Sequence, residues 1–201
     1  MVWQIVSLTL ENLDDLPTQC RKCVFWELGL AQNKRCADAE LEKEAWISTV
    51  TLLWGTAGKI AYRDGHPVAY ALFAPPGYVP RATAFPTSPV SADATLLMTA
   101  RVLGEHSGAG IGRRLIQESL RELALRKVRA VEAYGSTQWN RPECVLPTNF
   151  LLAMGFSVVR AHPYFPRLRR EIDESTASEA VGFAEIPMNS LARLGVQLQG
   201  S

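Results

Sequence analysis

The stretch "RVLGEHSGAGIGRRLIQESLRELALRK", Arg101 to Lys127, decides how this chain is read. The apolar run "TLLMTARVL", residues 95–103, leads into it as a strand. Gly108, Gly110 and Gly112 follow within five residues, and an amphipathic segment begins at about Gly110. A period that changes from strand to helix across glycines predicts a β-turn-α unit. On the predicted helix, Ile111, Leu115, Ser119 and Leu123 share one face. Arg114, Gln117, Glu118, Arg121 and Glu122 share the other. "VRAVEAYG", residues 128–135, is a second strand and completes a β-α-β crossover.

The start of such a helix offers unpaired N–H groups and the positive end of the helix dipole, so a phosphate fits there. Glycine lets the backbone approach the oxygens. The spacing excludes two familiar loops. A P-loop needs G-x-x-x-x-G-K-[ST], and "GAGIGRRL" lacks both that spacing and the Lys-Ser/Thr pair. The dinucleotide fingerprint G-x-G-x-x-G would need glycine where Arg113 stands, and it normally follows the first strand of its unit. Here several strands come earlier.

Outward from this unit, residues 2–10 read as a strand, with Val2, Gln4, Val6 and Leu8 on one face. A loop and short helix through Trp26 follow. "DAELEKEAWISTVTLLWG" is a helix capped by Asp38 and ended by Gly55, with Leu41, Ala45, Thr49 and Leu52 sharing a face. "GKIAYRDGHPVAYALFAPP" is a hairpin turning at Asp64-Gly65. Residues 77–92 read as a long proline-bearing loop. "TNFLLAMGF" is a short helix ended by Gly155, and "FSVVRAHPYF" with "RLRREI" forms a final strand pair. This order predicts a mixed α/β (α+β) single domain.

The chain has 201 residues, 47% hydrophobic and 20% charged, the composition of a soluble globular protein. A formal charge of +1 gives no electrostatic case for nucleic acid or an acidic membrane surface. No apolar run approaches the roughly 20 residues that span a bilayer. The N-terminal stretch lacks the basic flank and cleavage site of a signal peptide, which predicts a cytoplasmic protein. Of four cysteines, Cys20 and Cys23 form a C-x-x-C; Cys36 and Cys144 stand apart. No second such pair supplies further ligands, so reduced thiols are expected and no metal.

"ARVLGEHSGAGIGRRL" resembles the acyl-CoA-binding motif of the GNAT acetyltransferase superfamily. Val102 matches the strand-end valine, and Gly108, Gly110, Ile111 and Gly112 match in register. Gly104 replaces a proline, and Ser107 stands where the family has Arg or Gln. "FLLAMGF" resembles the family's second signature, with Leu151 in place of its tyrosine. "CVFWEL" and "RPECVLP" are similar to an actinobacterial subgroup. The resemblance implies a GNAT domain over residues 1–172, with residues 173–201 as a C-terminal extension. It implies a mostly antiparallel twisted sheet whose fourth and fifth strands splay.

Acetyl-CoA, or another acyl-CoA, is the implied cosubstrate. Its pantetheine would pair with backbone at Arg101, Val102 and Leu103. Its pyrophosphate would sit on Ser107, Gly108, Ala109, Gly110, Gly112 and Arg113. Asn149 is a further cofactor contact or simply a helix-start residue. The implied reaction is direct attack of an amine acceptor, small molecule or protein, by a monomer or homodimer; the alternative is an acyl-CoA-binding or regulatory module. The transfer needs a base for the amine and an acid for the leaving thiolate. With Leu151 in the tyrosine's place, Glu132 is the candidate base and Tyr134 the candidate acid, two apart on one strand face. The plainer readings are a solvated carboxylate and a packed aromatic. Asp93 is a second candidate base, and Cys144 a candidate acyl-carrying thiol. Trp26, Trp46, Tyr78 and Trp139 are candidates for an aromatic acceptor wall.

Overall fold

The computed structural model describes residues 3–106, 109–138, 144–173 and 176. Its strands are β1 (Trp3–Ser7), β2 (Gly58–Arg63), β3 (His66–Ala74), β4 (Ala94–Val102), β5 (Ala130–Ser136), β6 (Leu146–Pro147), β7 (Ser157–Arg160) and β8 (Arg167–Glu171). Its helices are α1 (Thr18–Arg21), α2 (Leu30–Asn33), α3 (Ala39–Trp54), α4 (Ile111–Leu125) and α5 (Thr148–Ala153). The strands form one sheet in the order β1-β2-β3-β4-β5-β8-β7, with β6 added to β5. Neighbours run antiparallel except at β4–β5 and β5–β6. The parallel β4–β5 pair needs a crossover, and α4 provides it.

Local chemistry explains much of this. Asp64 and Gly65 take left-handed φ values of +50° and +82°, the geometry of a tight hairpin turn between β2 and β3. The Asp38 carboxylate accepts the Leu41 N–H at 3.1 Å and starts α3, and Gly55 closes it. Two layers of apolar side chains sandwich the sheet. On one face α3 and the segment through α1 place Trp26, Trp46, Ile47 and Val50 against Ile60, Tyr70, Leu72 and Met98. On the other, Ile111, Leu115, Leu120 and Leu123 of α4 pack with Phe73, Leu97, Val131 and Leu168. Each such fully buried large side chain contributes about 1.5–3 kcal/mol relative to exposure.

Several sequence expectations are corrected. The first strand ends at Ser7, where a 3-10 turn over Leu10–Asp15 takes over. The packing face of α3 is Trp46, Ile47 and Val50; Leu41 and Leu52 of the expected stripe are 61% and 82% exposed. Glu118, placed on the polar face of α4, is buried and paired with Arg121. The loop over 77–92 contains two short 3-10 turns, Pro76–Tyr78 and Pro80–Ala84. The strand expected to run to Phe165 stops at Arg160, before Pro163 and Pro166 remove backbone donors.

Candidate functional site

The site is organised by the parting of β4 and β5. They pair only over Ala94–Leu96 and Ala130–Glu132, yet both strands continue past that point. β6 takes up Gly135 and Ser136 of β5 beyond the parting. A Cβ at Gly135 would stand 2.5 Å from Thr148 Oγ1 and 2.8 Å from a Leu168 methyl, so only glycine allows α5 to start so close to β5. Two rungs past the last β4–β5 pair, β4 bulges. Leu97 opposes Phe73 and Thr99 opposes Leu72, leaving Met98 as the extra residue. Met98 and Thr99 both turn to the α3 side as a result.

The Leu103 N–H is donated to Val68 O at 2.8 Å. By strand alternation, Arg101 and Leu103 therefore direct their backbone polar groups at β3, and Ala100 and Val102 direct theirs at the opening. Of the three positions expected to offer backbone contacts, Arg101, Val102 and Leu103, only Val102 faces the opening, and Ala100 faces it too.

At the end of β4 the chain enters the glycine turn. Gly110 caps α4 with a φ of +76°, a conformation that side chains strain, and a Cβ there would meet nothing within 4 Å. Among the described residues nothing crowds this position. Ala109 is exposed beside it. A Cβ on Gly112 would make ordinary contact with Val102 and Phe150, which sets this glycine at the helix–sheet seam. The Arg113 guanidinium reaches the Ala153 carbonyl at 3.5 Å, linking α4 to α5. Asn149 is exposed in the first turn of α5. Ser107 and Gly108 lie outside the described residues.

On the α3 side of the sheet, beneath the bulge, lies a narrow chamber. Tyr70, Leu72 and Thr99 form its floor, and Cys20, Cys23, Trp26 and Glu27 descend from α1 and the turn after it. Lys43 of α3 and Cys144 before β6 complete the wall. Glu27 and Lys43 are buried and ion-paired through Glu27 Oε1. Glu27 Oε2 is also buried and has no hydrogen-bond partner among the described residues. A buried carboxylate oxygen without a donor is costly unless a ligand supplies one.

The thiols of Cys23 and Cys144 are 3.5 Å apart. The Trp26 indole N–H donates to the Cys144 carbonyl at 2.8 Å. A hydrogen bond from Cys144, the Phe25 N–H and the Lys43 charge lower the Cys23 thiol to about 6, and burial only partly opposes them. The Cys144 thiol moves the other way, raised by its hydrogen bond to Cys23 and by burial. Arg101 Nη1 stands 3.5 Å from Cys20 Sγ, and the Tyr70 hydroxyl donates to the same sulfur. Burial, then that bond, raises the Tyr70 phenol, which stays protonated.

Of the residues expected to catalyse, Cys144 lines this chamber, whereas Glu132, Tyr134 and Asp93 do not. Glu132 is 0% exposed, and both its oxygens are engaged. Oε2 accepts from Arg167 Nη1 at 2.6 Å and from the Ser91 N–H at 3.2 Å, and Oε1 accepts from Arg169 Nη1 at 3.2 Å. It ties β5 to β8 and to the loop before β4, so the solvated-strand reading fails as well. The Tyr134 hydroxyl donates to Ala82 O at 3.1 Å, and its ring stacks on Phe85 at 4.1 Å. It is the packed aromatic. Asp93 pairs with Arg169, whose hydrogen bond holds its carboxyl below the usual range. Trp26 lines the chamber, whereas Trp46 lies in the core and donates to the Tyr78 carbonyl at 2.7 Å. Trp139 lies outside the described residues.

The sequence reading missed Glu27, Lys43 and Tyr70. The one signal for Glu27 was its place in "CVFWELG", beside the cysteine pair. Among the described residues no group of three or more His, Cys, Asp or Glu side chains is arranged to hold a metal ion. No helix among them is long and apolar enough to cross a membrane.

No family model and no curated protein matches the chain by sequence. Solved structures do match it by shape. The PaiA N-acetyltransferase of Thermoplasma acidophilum, solved with coenzyme A, has a TM-score of 0.57 at 13% identity, over 85% of this chain and 99% of its own. A Salmonella typhimurium protein described as an acetyltransferase and solved with acetyl-CoA has a TM-score of 0.57 at 16% identity, over 87% of this chain and 96% of its own. A Desulfovibrio desulfuricans protein described as a GNAT-family acetyltransferase has a TM-score of 0.54 at 17% identity, over 86% of this chain and all of its own. The parted β4 and β5, the crossover helix entered through glycine and this likeness agree: the chain has the fold of the GNAT acetyltransferases.

Proposed function

We propose that the protein transfers an acetyl group from acetyl-CoA to an amine, by direct attack of the amine on the thioester. The observation that carries this is the continuity of three features. β4 parts from β5 after Leu96, bulges at Met98, and ends in a turn whose glycine cap leaves the α4 N-terminus open. A long, thin ligand with an anionic end fits such a path. The pyrophosphate takes Ser107, Gly108, Ala109, Gly110, Gly112 and Arg113, where backbone donors and the helix dipole favour it. The pantetheine runs along Ala100 and Val102. Asn149, exposed at the start of α5, is a polar neighbour for the same ligand.

The acceptor enters the chamber. Glu27 Oε2 receives the ammonium, holds the amine at the bulge and takes its proton, the role Glu132 cannot fill from its arginine clamp. Lys43 pairs with Glu27 Oε1 and orients the carboxylate. Tyr70, whose hydroxyl is turned to Cys20, does not supply the acid. The chamber measures about 10 Å³, roughly the room one water needs, so it takes the ammonium head of a primary amine and leaves the rest of the acceptor outside.

A second reading has its own support. Leu151, at the position of the family's tyrosine, is wholly buried in the α4-side core, so no side chain there reaches a leaving thiolate. This favours a module that binds acyl-CoA and turns over slowly. Thermal shift with acetyl-CoA, followed by thiol release across a panel of primary amines, separates the readings. Stabilisation with amine-dependent release supports transfer. Stabilisation with no release supports the binding module, and no stabilisation at millimolar acetyl-CoA sinks both.

A further inference from the structure

The chamber wall contains three thiols that the transfer reaction does not use, and two of them touch. Cys23 lies just after α1 and Cys144 just before β6, and their sulfurs are already in contact at 3.5 Å. A disulfide has an S–S distance of about 2.05 Å, so closing the gap needs about 1.5 Å of side-chain movement. The Trp26 indole fixes the Cys144 backbone beside the turn that carries Cys23. Cys20, the sequence neighbour that a C-x-x-C pattern would pair with Cys23, is occupied instead with Tyr70 and Arg101. Both Cys23 and Cys144 are partly exposed, whereas Cys20 is buried.

We propose that Cys23 and Cys144 form a reversible disulfide that fastens the α1–α2 segment to the strand before α5 and closes the chamber to the acceptor. The closing function rests on the transferase reading above; the disulfide itself does not. The oxidant is a hydroperoxide. The Cys23 thiolate attacks the terminal peroxide oxygen; an S–O bond forms, the O–O bond breaks, and the alkoxide leaves and is protonated to the alcohol, or to water from hydrogen peroxide. Sulfur is oxidised and the peroxide reduced. The Cys144 thiol then attacks the sulfenic sulfur; the S–S bond forms, the S–O bond breaks, and hydroxide departs with the Cys144 proton as water. The groups that set this chemistry are Lys43, whose charge favours the Cys23 thiolate, Glu27, which opposes it, and the Cys144 thiol, which hydrogen-bonds to it. Two molecules of an external thiol return both cysteines to the reduced form.

The test uses the full chain with near-stoichiometric hydrogen peroxide at neutral pH, read by non-reducing peptide mass spectrometry. The expected product is one cross-linked peptide pair joining Cys23 to Cys144. Free thiols fall from four to two, and dithiothreitol reverses both changes. Cys144→Ser should leave Cys23 as a trappable sulfenic acid, and Cys36→Ser should cross-link like wild type. A Cys20–Cys23 link, over-oxidation of Cys23 without a cross-link, or no reaction overturns the proposal. The functional half is read on the cross-linked protein. Acetyl-CoA should still raise its melting temperature, while amine-dependent thiol release falls at least about tenfold and returns on reduction. A cross-linked protein that transfers as fast as the reduced one overturns the closure. A reduced protein that never transfers refutes the transferase reading and leaves the mapped disulfide standing.

Discussion

Glu27 and Glu132 are both buried carboxylates, and both lie near the place where β4 and β5 part. Glu132 meets two guanidinium groups and a backbone N–H, so every direction of approach is taken. Glu27 meets one ammonium and keeps an oxygen without a partner among the described residues. The first arrangement holds three segments together. The second has an unmet demand, which the proposed function fills with a substrate ammonium. Burial alone therefore does not distinguish the two carboxylates; the count of donors does.

The comparison can be broken most forcefully at Glu132. Glu132→Ala strands Arg167 and Arg169 and should cost roughly 3–5 kcal/mol, seen as a lower denaturant midpoint, while the folded fraction keeps its turnover number. Loss of turnover with unchanged stability would reverse the two roles. Glu27→Gln is the matching change. It should lower the transfer rate about 100-fold or more with acetyl-CoA affinity nearly unchanged, read by thiol release and calorimetry.

The glycine turn sharpens the contrast from the cofactor side. Gly110→Asp places a negative charge at the α4 N-terminus and should weaken CoA binding about tenfold, near 1.4 kcal/mol. The space around that position has room for the side chain, but the φ of +76° strains any residue with a Cβ, so the melting temperature of the variant is measured beside its CoA affinity. A smaller effect concerns pH. With the Cys23 thiol lowered to about 6, iodoacetamide should label Cys23 at a rate that rises with pH up to about 6 to 7 and then levels off. An ordinary thiol would keep gaining rate up to about pH 8.5. Lys43→Met should move that profile to higher pH, because the charge that favours the thiolate is gone.

What the sequence made legible was local. The Asp64-Gly65 hairpin, the Asp38 cap and the β-turn-α unit at Gly110 each depend on residues within a few positions of one another. The packing face of α3 was not legible, because Leu41, Leu52 and Leu53 make that helix apolar on several sides and periodicity cannot choose among them. The candidate site fared similarly. Strand alternation put Glu132 beside the parting of the strands, where it is. Its arginine partners, 35 and 37 residues later, are a tertiary fact. Glu27 finds Lys43 across 16 residues, and Cys23 finds Cys144 across 121. No spacing rule links such pairs, so the glycine turn could be read ahead of the structure and the chamber could not.

The structure of the protein with CoA bound is the most direct test. The account predicts pantetheine along Ala100 and Val102, with the thiol at the Met98 bulge and open to the chamber that holds Glu27. A thiol seated against Glu132 and Tyr134, or a CoA that avoids the Gly110 turn, would contradict it.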